Sequence, residues 1–474
     1  RGKEEMAEDV QAPGCDYANL FGYESWDGSS YDGRCSFFGY SDVLDDGKAW
    51  AIVLGFGGLL AIITTMLMHC TIRFDTGKRQ KVTADNFASA NRLMGPGFTA
   101  SVLVSQWTWV ATLVQSSNVA YQFGVAGPFW YAAGAAVQLI LFSVLSLQVK
   151  RTAPGAHTIC EIVLSRWGKP AHICFICFCL LTNVMVNAML TIGGAVTISA
   201  LTGVNLTGVA MALPLMVTVY TVHGGLRATY LASFIHVCFI YVVTLVFCFE
   251  VYTQHSDLGN PTRVWENLKA MAGKVPVEGN MEGSYITMYS RRGLMFGAVN
   301  LVVNFGTVFV DQAYWQTALA CRTPSSAVWG FIMGGLAWFS IPFAMASAMG
   351  LAARALDLPL TAAEANKGLV PPAVAVHMFG PPGAFLFACQ VVVAVMSSGS
   401  SEQLAVAAIF SWDIYRRYIN PEATGVQIIR CARIVICLFG IFSGLLAILL
   451  HTGLGLSLGW IYSSVGVFLG GAVL

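Results

Sequence analysis

Residues 300–312 of the chain read NLVVNFGTVFVDQ, and polar side chains recur at regular intervals through this apolar stretch. Asn300, Asn304, Thr307 and Asp311 follow one another at steps of four, three and four residues. At about 100° per residue, these steps keep all four on one face of a helix. Amides offer both hydrogen-bond donors and acceptors, and a carboxyl group can exchange a proton. The pattern predicts a face that meets a small neutral polar solute and exchanges a proton.

A plainer explanation of Asp311 is also open. If its span tilts, Asp311 reaches the cytoplasmic surface, where Arg322 could neutralise it. An ionised carboxylate in mid-membrane costs at least about 2.5 kcal/mol, so it must be paired, solvated or protonated. No Lys or Arg lies within two helical turns of Asp311 along the chain. We therefore favour a face that lines a water-filled cavity on the path of a solute.

A second polar group lies in MSSGSSEQLAVA, residues 396–407. An isolated serine in a membrane helix usually hydrogen-bonds back to its own helix. As a group, Ser397, Ser398 and Ser401 could instead offer hard oxygens to a small cation, or donors to a solute. Glu402 could take part in coupling a cation, or could serve as the structural partner of a neighbouring helix.

A third group lies in SQWTWVATLVQSSNVAYQFG, residues 105–124. Paired tryptophans often anchor a helix at the membrane surface. Here they lie several residues inside the apolar span, which favours the wall of a cavity. Amide and indole donors beside flat aromatic rings suit a planar polar solute. The residues in question are Gln106, Trp107, Trp109, Gln115, Ser116 and Asn118.

The composition indicates which kind of chain carries these groups. Of the 474 residues, 56% are hydrophobic and 11% are charged, with a mean hydropathy of +0.65. Soluble domains average about 25% charged residues, so this composition predicts a multi-pass membrane protein in a lipid bilayer. A net charge of +1 gives no reason to expect a nucleic-acid partner. We also find no nucleophile and base pair, phosphate loop or metal-ligand spacing of an enzyme, and no cofactor motif.

The cysteines do not form a metal-binding pattern. Cys174 and Cys177 make a CxxC inside the apolar run HICFICFCLL, where packing explains them best. Cys15 and Cys35 flank a polar segment before the first apolar run, and whether they form a disulfide stays open.

A hydrocarbon core about 30 Å thick requires roughly 20 apolar residues per helix. Eleven stretches of the chain fit this template, and we expect the last one to be incomplete at Leu474. The predicted spans lie near 48–70, 98–120, 126–149, 170–201, 206–222, 228–252, 293–318, 327–353, 382–412, 428–451 and 456–474.

Lys and Arg gather in loops on one side of the membrane, if every span crosses once. By the positive-inside rule that side is cytoplasmic, so the N-terminus is extracellular. Arg291 and Arg292 fall on the other side and are exceptions. The residues that set the orientation are Arg73, Lys78, Arg79, Lys81, Arg92, Lys150, Arg151, Arg166, Lys169, Arg416, Arg417, Arg430 and Arg433.

The order of the spans predicts the domain organisation. An extracellular segment (1–47) and one additional helix (48–70) precede two blocks of five helices, 98–252 and 293–474, with an extracellular loop (253–292) between them. The two blocks enter the membrane in opposite directions. This plan is typical of secondary transporters with an inverted-repeat, leucine-transporter-like fold, whose opening helices are broken in mid-membrane. We take Gly306 as the candidate break in the second block, and PTRVWENLKAMAG (261–273) as a short surface helix.

Several long strings resemble the high-affinity urea/proton symporters of plants, fungi and algae, a branch of the sodium/solute symporter family. The similarity runs from about residue 34 to the end of the chain. It implies active uptake of urea across the plasma membrane by alternating access, driven by a cation gradient. The strings are SQWTWVATLVQSSNVAYQFGVAGPFWYAAGA, KRTAPGAHTICEIVLSRWG, NFGTVFVDQAYW, LDLPLTAAEANKGLVPPA and SSGSSEQLAVAAIFSWDIYRRYINPEATG.

The resemblance also assigns roles to individual residues. Asn300 and Asp311 correspond to polar residues of the sixth core helix that are implicated in urea transport, and Trp107 to a binding-site tryptophan. Tyr462 corresponds to a wall residue of the last core helix. The chain departs from many relatives at Gln312, where they have Asn.

In sodium-driven relatives, a cation lies between the first and eighth core helices. The positions that match here are the backbone oxygens of Val104 and Trp107 on the first helix, and Ala394, Ser397 and Ser398 on the eighth. These hydroxyl groups are present, so the sequence leaves H⁺ and Na⁺ coupling open. Proton coupling is favoured because the resemblance implies it.

Other functions also remain open at this level. One is a sodium-coupled carrier of another small polar solute, another is a passive urea channel, and a third is a receptor that retains the transporter fold as a sensor. The sequence does not decide the oligomeric state, the stoichiometry or whether polyamines are also carried.

Overall fold

The computed structural model of the chain describes residues 37–38, 43–76 and 83–470. Cys15 and Cys35 lie outside these residues. The described chain is built from helices, which we number in chain order. They are α1 (Asp46–Trp50, Ala51–Phe56 and Gly57–Thr76), α2 (Ala84–Ser89), α3 (Pro96–Trp107), α4 (Val110–Phe123), α5 (Ala126–Thr152), α6 (Ile159–Thr202), α7 (Leu206–Phe249), α8 (Pro261–Lys274), α9 (Arg291–Val310), α10 (Gln312–Ala320), α11 (Pro324–Met345), α12 (Ala362–Asn366), α13 (Val370–Phe379), α14 (Pro381–Ala408), α15 (Gly425–Ile448) and α16 (Leu458–Gly470).

The first core helix is broken, as its class of fold requires. α3 ends at Trp107 and α4 begins at Val110, with Thr108 (φ −85°, ψ 78°) in a non-helical conformation between them. The Thr108 hydroxyl donates to the carbonyl of Val104, and the Thr112 hydroxyl donates to that of Trp107. These side chains satisfy backbone groups that the end of a helix leaves unpaired.

The second block has a matching break, but the prediction of its position was wrong. Gly306 lies inside α9, and the helix is interrupted five residues later at Asp311. Asp311 is the C-cap of α9 and also the N-cap of α10, where its Oδ1 accepts from the backbone N–H of Ala313 at 2.8 Å. Asp is among the best N-cap residues, so the carboxylate itself starts the new helix.

α7 is assigned as one helix of 44 residues, but it bends sharply at Gly225. Gly225 has φ +57°, and a Cβ there would lie 2.7 Å from the ring of Phe87 and 2.8 Å from its carbonyl oxygen. Only glycine fits this conformation and this close approach of α2. The bend separates the stretches that the sequence predicts as the spans 206–222 and 228–252.

Eight described helices are long and apolar enough to cross a membrane, compared with the eleven predicted spans. The difference of three has simple causes. The predicted span 98–120 is divided into α3 and α4, the two spans around Gly225 are counted as one, and α16 has only 13 residues. Large apolar side chains such as Leu141, Val144, Leu336 and Leu438 are exposed on the outside of these helices, as lipid contact requires.

α14 lies at the centre of the bundle. In the most apolar stretch of this helix, 89% of the residues are buried inside the protein, compared with 33% in the corresponding stretch of α15. It packs against α6 and α7, while α11 packs against α3 and α5. The serine-rich helix is therefore surrounded by protein rather than by lipid, which explains why its polar groups are tolerated.

Two features of the loop between the blocks concern residues singled out in the sequence. α8 begins at Pro261 after the N-cap Asn260, as predicted for the surface helix. Arg292, one of the two cations on the unexpected side, forms an ion pair with Glu278.

Candidate functional site

The serine hydroxyl groups of α14 meet the break between α3 and α4. Ser397 Oγ donates to the carbonyl oxygen of Ser105 at 2.6 Å, and Ser398 Oγ donates to that of Gln106 at 2.9 Å. The Ser105 and Ser397 hydroxyl oxygens are 2.5 Å apart. The structure thus brings together the two elements that the sequence predicts to hold a cation.

The carbonyls involved differ from those that the resemblance implies. The Val104 and Trp107 oxygens accept from the hydroxyls of Thr108 and Thr112, at 2.6 and 3.2 Å, rather than from the serines. Ala394 is buried in α14 one turn before Ser397. A cation between these helices would have to displace existing hydrogen bonds.

Ser401 is placed as expected for a serine that hydrogen-bonds back to its own helix. Its hydroxyl group bonds back to the carbonyl oxygen of Ser397 at 3.4 Å, within its own helix. It therefore does not point at the break in this arrangement.

Two carboxyl groups meet in the interior of the bundle. The side-chain nitrogen of Asn183, on α6, donates to Asp311 Oδ1 at 2.8 Å and to Glu402 Oε2 at 2.6 Å. At most 2% of each of the three residues is exposed, so the surroundings are dry. Within the described part of the chain, no Lys or Arg is hydrogen-bonded or ion-paired to either carboxyl group. Like charges so close together in a dry site cannot both persist without compensation.

Some polar atoms beside this pair have no protein partner. Asp311 Oδ2, Asn183 Oδ1 and the indole N–H of Trp109 are buried without a hydrogen bond from the described residues. Buried polar groups are nearly always satisfied, so each such atom calls for an explanation.

Aromatic rings form the wall next to these atoms. The Trp107 ring lies 5.1 Å from the Tyr314 ring, 4.9 Å from that of Trp109 and 5.9 Å from that of Trp338, measured between centroids. The indole N–H of Trp107 donates to the carbonyl of Ala135 at 2.9 Å, which fixes the ring in place. The N–H of Trp107 is therefore already used within the protein, and its ring contributes apolar surface to the aromatic cluster.

The two asparagines of the predicted polar face form hydrogen bonds with each other and with two tyrosines. Asn300 donates to the carbonyl of Tyr131 at 3.0 Å, and its Oδ1 accepts from the hydroxyl of Tyr462 at 2.6 Å. Asn304 donates to Asn300 Oδ1 at 2.9 Å, and the rings of Tyr131 and Tyr462 stack at 5.9 Å. Tyr462 of α16 thus joins the predicted line. Thr307 bonds back to the carbonyl of Val303.

The remaining predicted residues lie at the edges of this region. Gln106 Oε1 accepts from the hydroxyl of Thr317 at 3.0 Å, on α10. Gln115 Nε2 makes a long 3.4 Å contact to the carbonyl of Asn366, in α12. The side chain of Gln312 hydrogen-bonds to backbone groups of His157 and Ile159 at the start of α6. Its role in this structure is to tie α10 to α6.

The structure does not place Asp311 at the surface of the protein, as the alternative explanation of this residue would require. Asp311 is 0% exposed and contacts Asn183 in the interior, beside the serine-rich helix. Asn183, Tyr314 and Trp338 were not among the predicted site residues. Asn183 carried a weak signal as an amide in an apolar run, but its spacing gave no indication of its partners.

The chain has two helices that are broken in mid-bundle, α3–α4 and α9–α10, with polar groups at both breaks and a central buried helix. These features are typical of the inverted-repeat, leucine-transporter-like fold. The sequence profile of the Sodium:solute symporter family matches residues 87–469. The chain belongs to this family. A solved structure of a Na⁺-coupled sialic acid symporter has the same fold, with a TM-score of 0.68 and 18% sequence identity over 91% of this chain and 86% of that one.

Sequence relatives are closer. A urea-proton symporter, DUR3, of Oryza sativa subsp. japonica is 49% identical over 97% of this chain. The urea active transporter of Saccharomyces cerevisiae is 38% identical over 91% of it, and a probable urea active transporter of Schizosaccharomyces pombe is 40% identical over 91%. The chain spans 66%, 59% and 65% of the lengths of these three relatives, in the same order.

Proposed function

We propose that this chain forms the transport core of a carrier that takes up urea together with protons by alternating access, rather than catalysing a reaction. The observation that carries the proposal is the pair of buried carboxyl groups, Asp311 and Glu402, bridged by Asn183 at the break of the second opening helix. Relatives of this chain that carry the name of urea-proton symporter or urea transporter support the choice of solute.

Urea is planar and neutral, with two N–H₂ donors and one carbonyl acceptor. The atoms without protein partners suit it: Asp311 Oδ2 can accept from a urea N–H, and the Trp109 N–H can donate to the urea oxygen. The rings of Trp107 and Tyr314 lie edge to face with centroids 5.1 Å apart, and a planar solute would have to pack beside this aromatic pair. The amides Asn300 and Asn304 would take part when the bonds that now join them to Tyr462 open.

A proton has a place in the same cluster. Two carboxyl groups that share one bridging amide in a dry site are most stable with one proton between them. When the cavity opens to one side, water can solvate both carboxyl groups and release that proton. A carrier that binds urea beside a carboxyl group can thus make binding depend on protonation, as symport requires.

The residues of the proposed site are closed to solvent in this arrangement. Asn300, Asn304, Asp311 and Trp107 are each at most 2% exposed. Alternating access needs at least two further arrangements, each open to one side, and the breaks at Thr108 and Asp311 are the natural points of bending.

A second candidate is sodium coupling, which the contact between the serines and the first break favours. Ser397 and Ser398 already place hydroxyl oxygens at the carbonyls of Ser105 and Gln106. These oxygens could coordinate a sodium ion in place of the hydrogen bonds that they now make. The solute would then be urea or another small polar molecule.

The direct test is labelled urea uptake into cells that lack a carrier of their own, with pH and sodium varied independently. Proton symport predicts accumulation above the external concentration, which rises with an inward proton gradient and collapses on addition of a protonophore. Equal concentrations inside and outside would indicate a passive channel. Accumulation that needs sodium and ignores the proton gradient would support the second candidate.

We also propose that the carrier lies in the plasma membrane with its N-terminus outside. The Lys and Arg distribution supports this orientation. The end of the bundle that carries α8, α12 and α13 would then face the outside.

A further inference from the structure

Two histidines and an aspartate from separate parts of the chain meet at the end of the bundle that carries α8 and α13. α7 continues as one further helical turn, Glu250–Gln254, and His255 follows directly after it. Asp257 is two residues further on, and His377 lies in the last turn of α13. One ligand atom from each side chain lies within 4.8 Å of the others. The rings of His255 and His377 are 5.7 Å apart between centroids.

We propose that His255, Asp257 and His377 bind a transition-metal dication of the Zn²⁺ type. Imidazole nitrogens and one carboxylate, with a fourth position left to water, are a common ligand set for Zn²⁺. Tetrahedral geometry with bonds of about 2.0–2.2 Å places ligand atoms roughly 3.3 Å apart. The ligand atoms lie within 4.8 Å of one another, so binding requires side-chain rotations that bring them to that separation.

The loop that carries two of the ligands is held firmly. Leu258, which follows Asp257, is fully buried, and Arg263 donates to the carbonyl of Ser256 at 2.5 Å. Gly259 has φ +35°, and a Cβ there would lie 2.4 Å from the carbonyl oxygen of His255, so the turn is tight. The backbone N–H of Asp257 donates to His255 Nδ1 at 3.2 Å, and a metal ion bound at that nitrogen would replace this hydrogen bond. A site whose ligands are already close loses little order on binding.

The third ligand is positioned by packing. The ring of Phe379, two residues after His377, contacts that of Phe247 in α7 at 5.9 Å. This contact holds the end of α13 against the end of α7. His255 and His377 are half-buried and Asp257 is exposed, so a metal ion can enter from solvent.

The location of the site gives it a consequence. Residues 361–379, which we call the cover segment, lie over α4: Asn366 contacts Gln115, and a Cβ on Gly368 would lie 2.7 Å from the side chain of Val114. A metal ion that joins His377 to His255 would fix the cover segment to the end of α7. Opening of the site toward this end needs the cover segment to move, so bound metal would slow transport. This consequence rests on the proposed function, whereas metal binding does not.

Binding is tested on the purified full chain in detergent, by calorimetric titration with Zn²⁺ and by the absorption spectrum of added Co²⁺. We expect one ion per chain with a tetrahedral cobalt spectrum. His255→Ala and His377→Ala should each weaken binding at least about tenfold, because even the loss of residues that only support ligands costs this much. His223→Ala is the matched control, since His223 is exposed and bonds only to the carbonyl of Val219 in its own helix.

Thermal unfolding of every variant shows whether it is folded. A wild-type chain that binds Zn²⁺ no more tightly than a folded His255→Ala, His377→Ala double variant would overturn the site. In cells, external Zn²⁺ should inhibit labelled urea uptake by the wild type and by His223→Ala, but not by His377→Ala. Binding without inhibition would overturn the locking of the cover segment, while absence of urea uptake without metal would instead contradict the proposed function.

Discussion

Asp311 combines two tasks in one side chain. Its Oδ1 accepts from the Ala313 N–H, which makes it the cap of α10, and from Asn183. Its Oδ2 has no hydrogen bond from the described residues, and under the proposed function it would meet the solute or the proton. These tasks can be separated by substitution, because Asn is as good an N-cap residue as Asp but carries no charge.

We expect Asp311→Asn to abolish accumulation of urea above the external concentration while the protein remains folded. Its free energy of unfolding should change by less than about 1 kcal/mol, because the cap to Ala313 is kept. Labelled uptake at several pH values, together with surface expression, measures both effects. Asp357→Asn is the control, since Asp357 makes a partly exposed ion pair with Lys274 at 3.2 Å. Gradient-driven uptake that persists in Asp311→Asn would exclude this carboxyl group from coupling.

The two adjacent tryptophans should respond differently to removal of the indole N–H. Trp109→Phe removes a donor that has no protein partner, so it should raise the half-saturation concentration for urea about two- to tenfold, the worth of one hydrogen bond. Trp107→Phe removes the bond to Ala135, so it should lower stability by about 0.5–1.5 kcal/mol and change affinity less. Concentration dependence of uptake and thermal unfolding separate the two. Unchanged affinity in Trp109→Phe would remove its N–H from the site.

The residue scale also shows what could be predicted from sequence. The helical periodicity of Asn300, Asn304, Thr307 and Asp311 predicted a face that lines a water-filled cavity. In this structure all four are at most 2% exposed, so the face is packed against protein rather than against water. The partner Asn183 could not be predicted, because it lies 128 residues from Asp311 and 219 from Glu402. Such distant contacts depend on the packing of whole helices, which periodicity within one helix does not determine.

At the scale of elements, the position of the second break was the main error. Glycine is a good indicator of helix ends in soluble proteins, but in membrane helices it often serves close packing. The better signal was Asp311 itself, an N-cap residue followed by a short new helix. The bend at Gly225 agreed with the gap between two predicted spans because hydropathy detects gaps directly.

Close packing of elements gives a further prediction. Gly350 lies where the continuation of α11 crosses α4, and a Cβ there would be 2.4 Å from the carbonyl oxygen of Ser117 and 2.5 Å from Ala120 Cβ. Backbone atoms cannot yield easily, so Gly350→Ala should destabilise the folded protein by about 1–3 kcal/mol.

Gly58→Ala is the matched control, since a Cβ at Gly58 in α1 would meet nothing within 4 Å. There the change should be neutral or slightly stabilising. Thermal unfolding in the same detergent compares the two. Equal stability of both variants would mean that α4 and α11 can separate at no cost.

At the scale of the whole molecule, the orientation in the membrane remains a prediction. Glu266 in α8 and Glu422 before α15 are exposed and should lie on opposite sides. In a background with Cys15 and Cys35 replaced by Ser, a membrane-impermeant maleimide applied to intact cells should label Glu266→Cys and not Glu422→Cys. Permeabilised cells should label both. The reverse pattern in intact cells would invert the topology and place the metal site inside the cell.

One consequence of the junction at Asp311 concerns how a proton could move the protein. An N-cap bond is worth about 0.5–2 kcal/mol, and it is strongest when the acceptor is ionised. A proton on this carboxyl group would remove that charge while leaving Oδ1 as the acceptor, so it would loosen the joint between α9 and α10 without breaking the cap. Chemical signal and mechanical pivot would then be the same few atoms, and no relay through the rest of the bundle would be needed to turn a pH difference into bending.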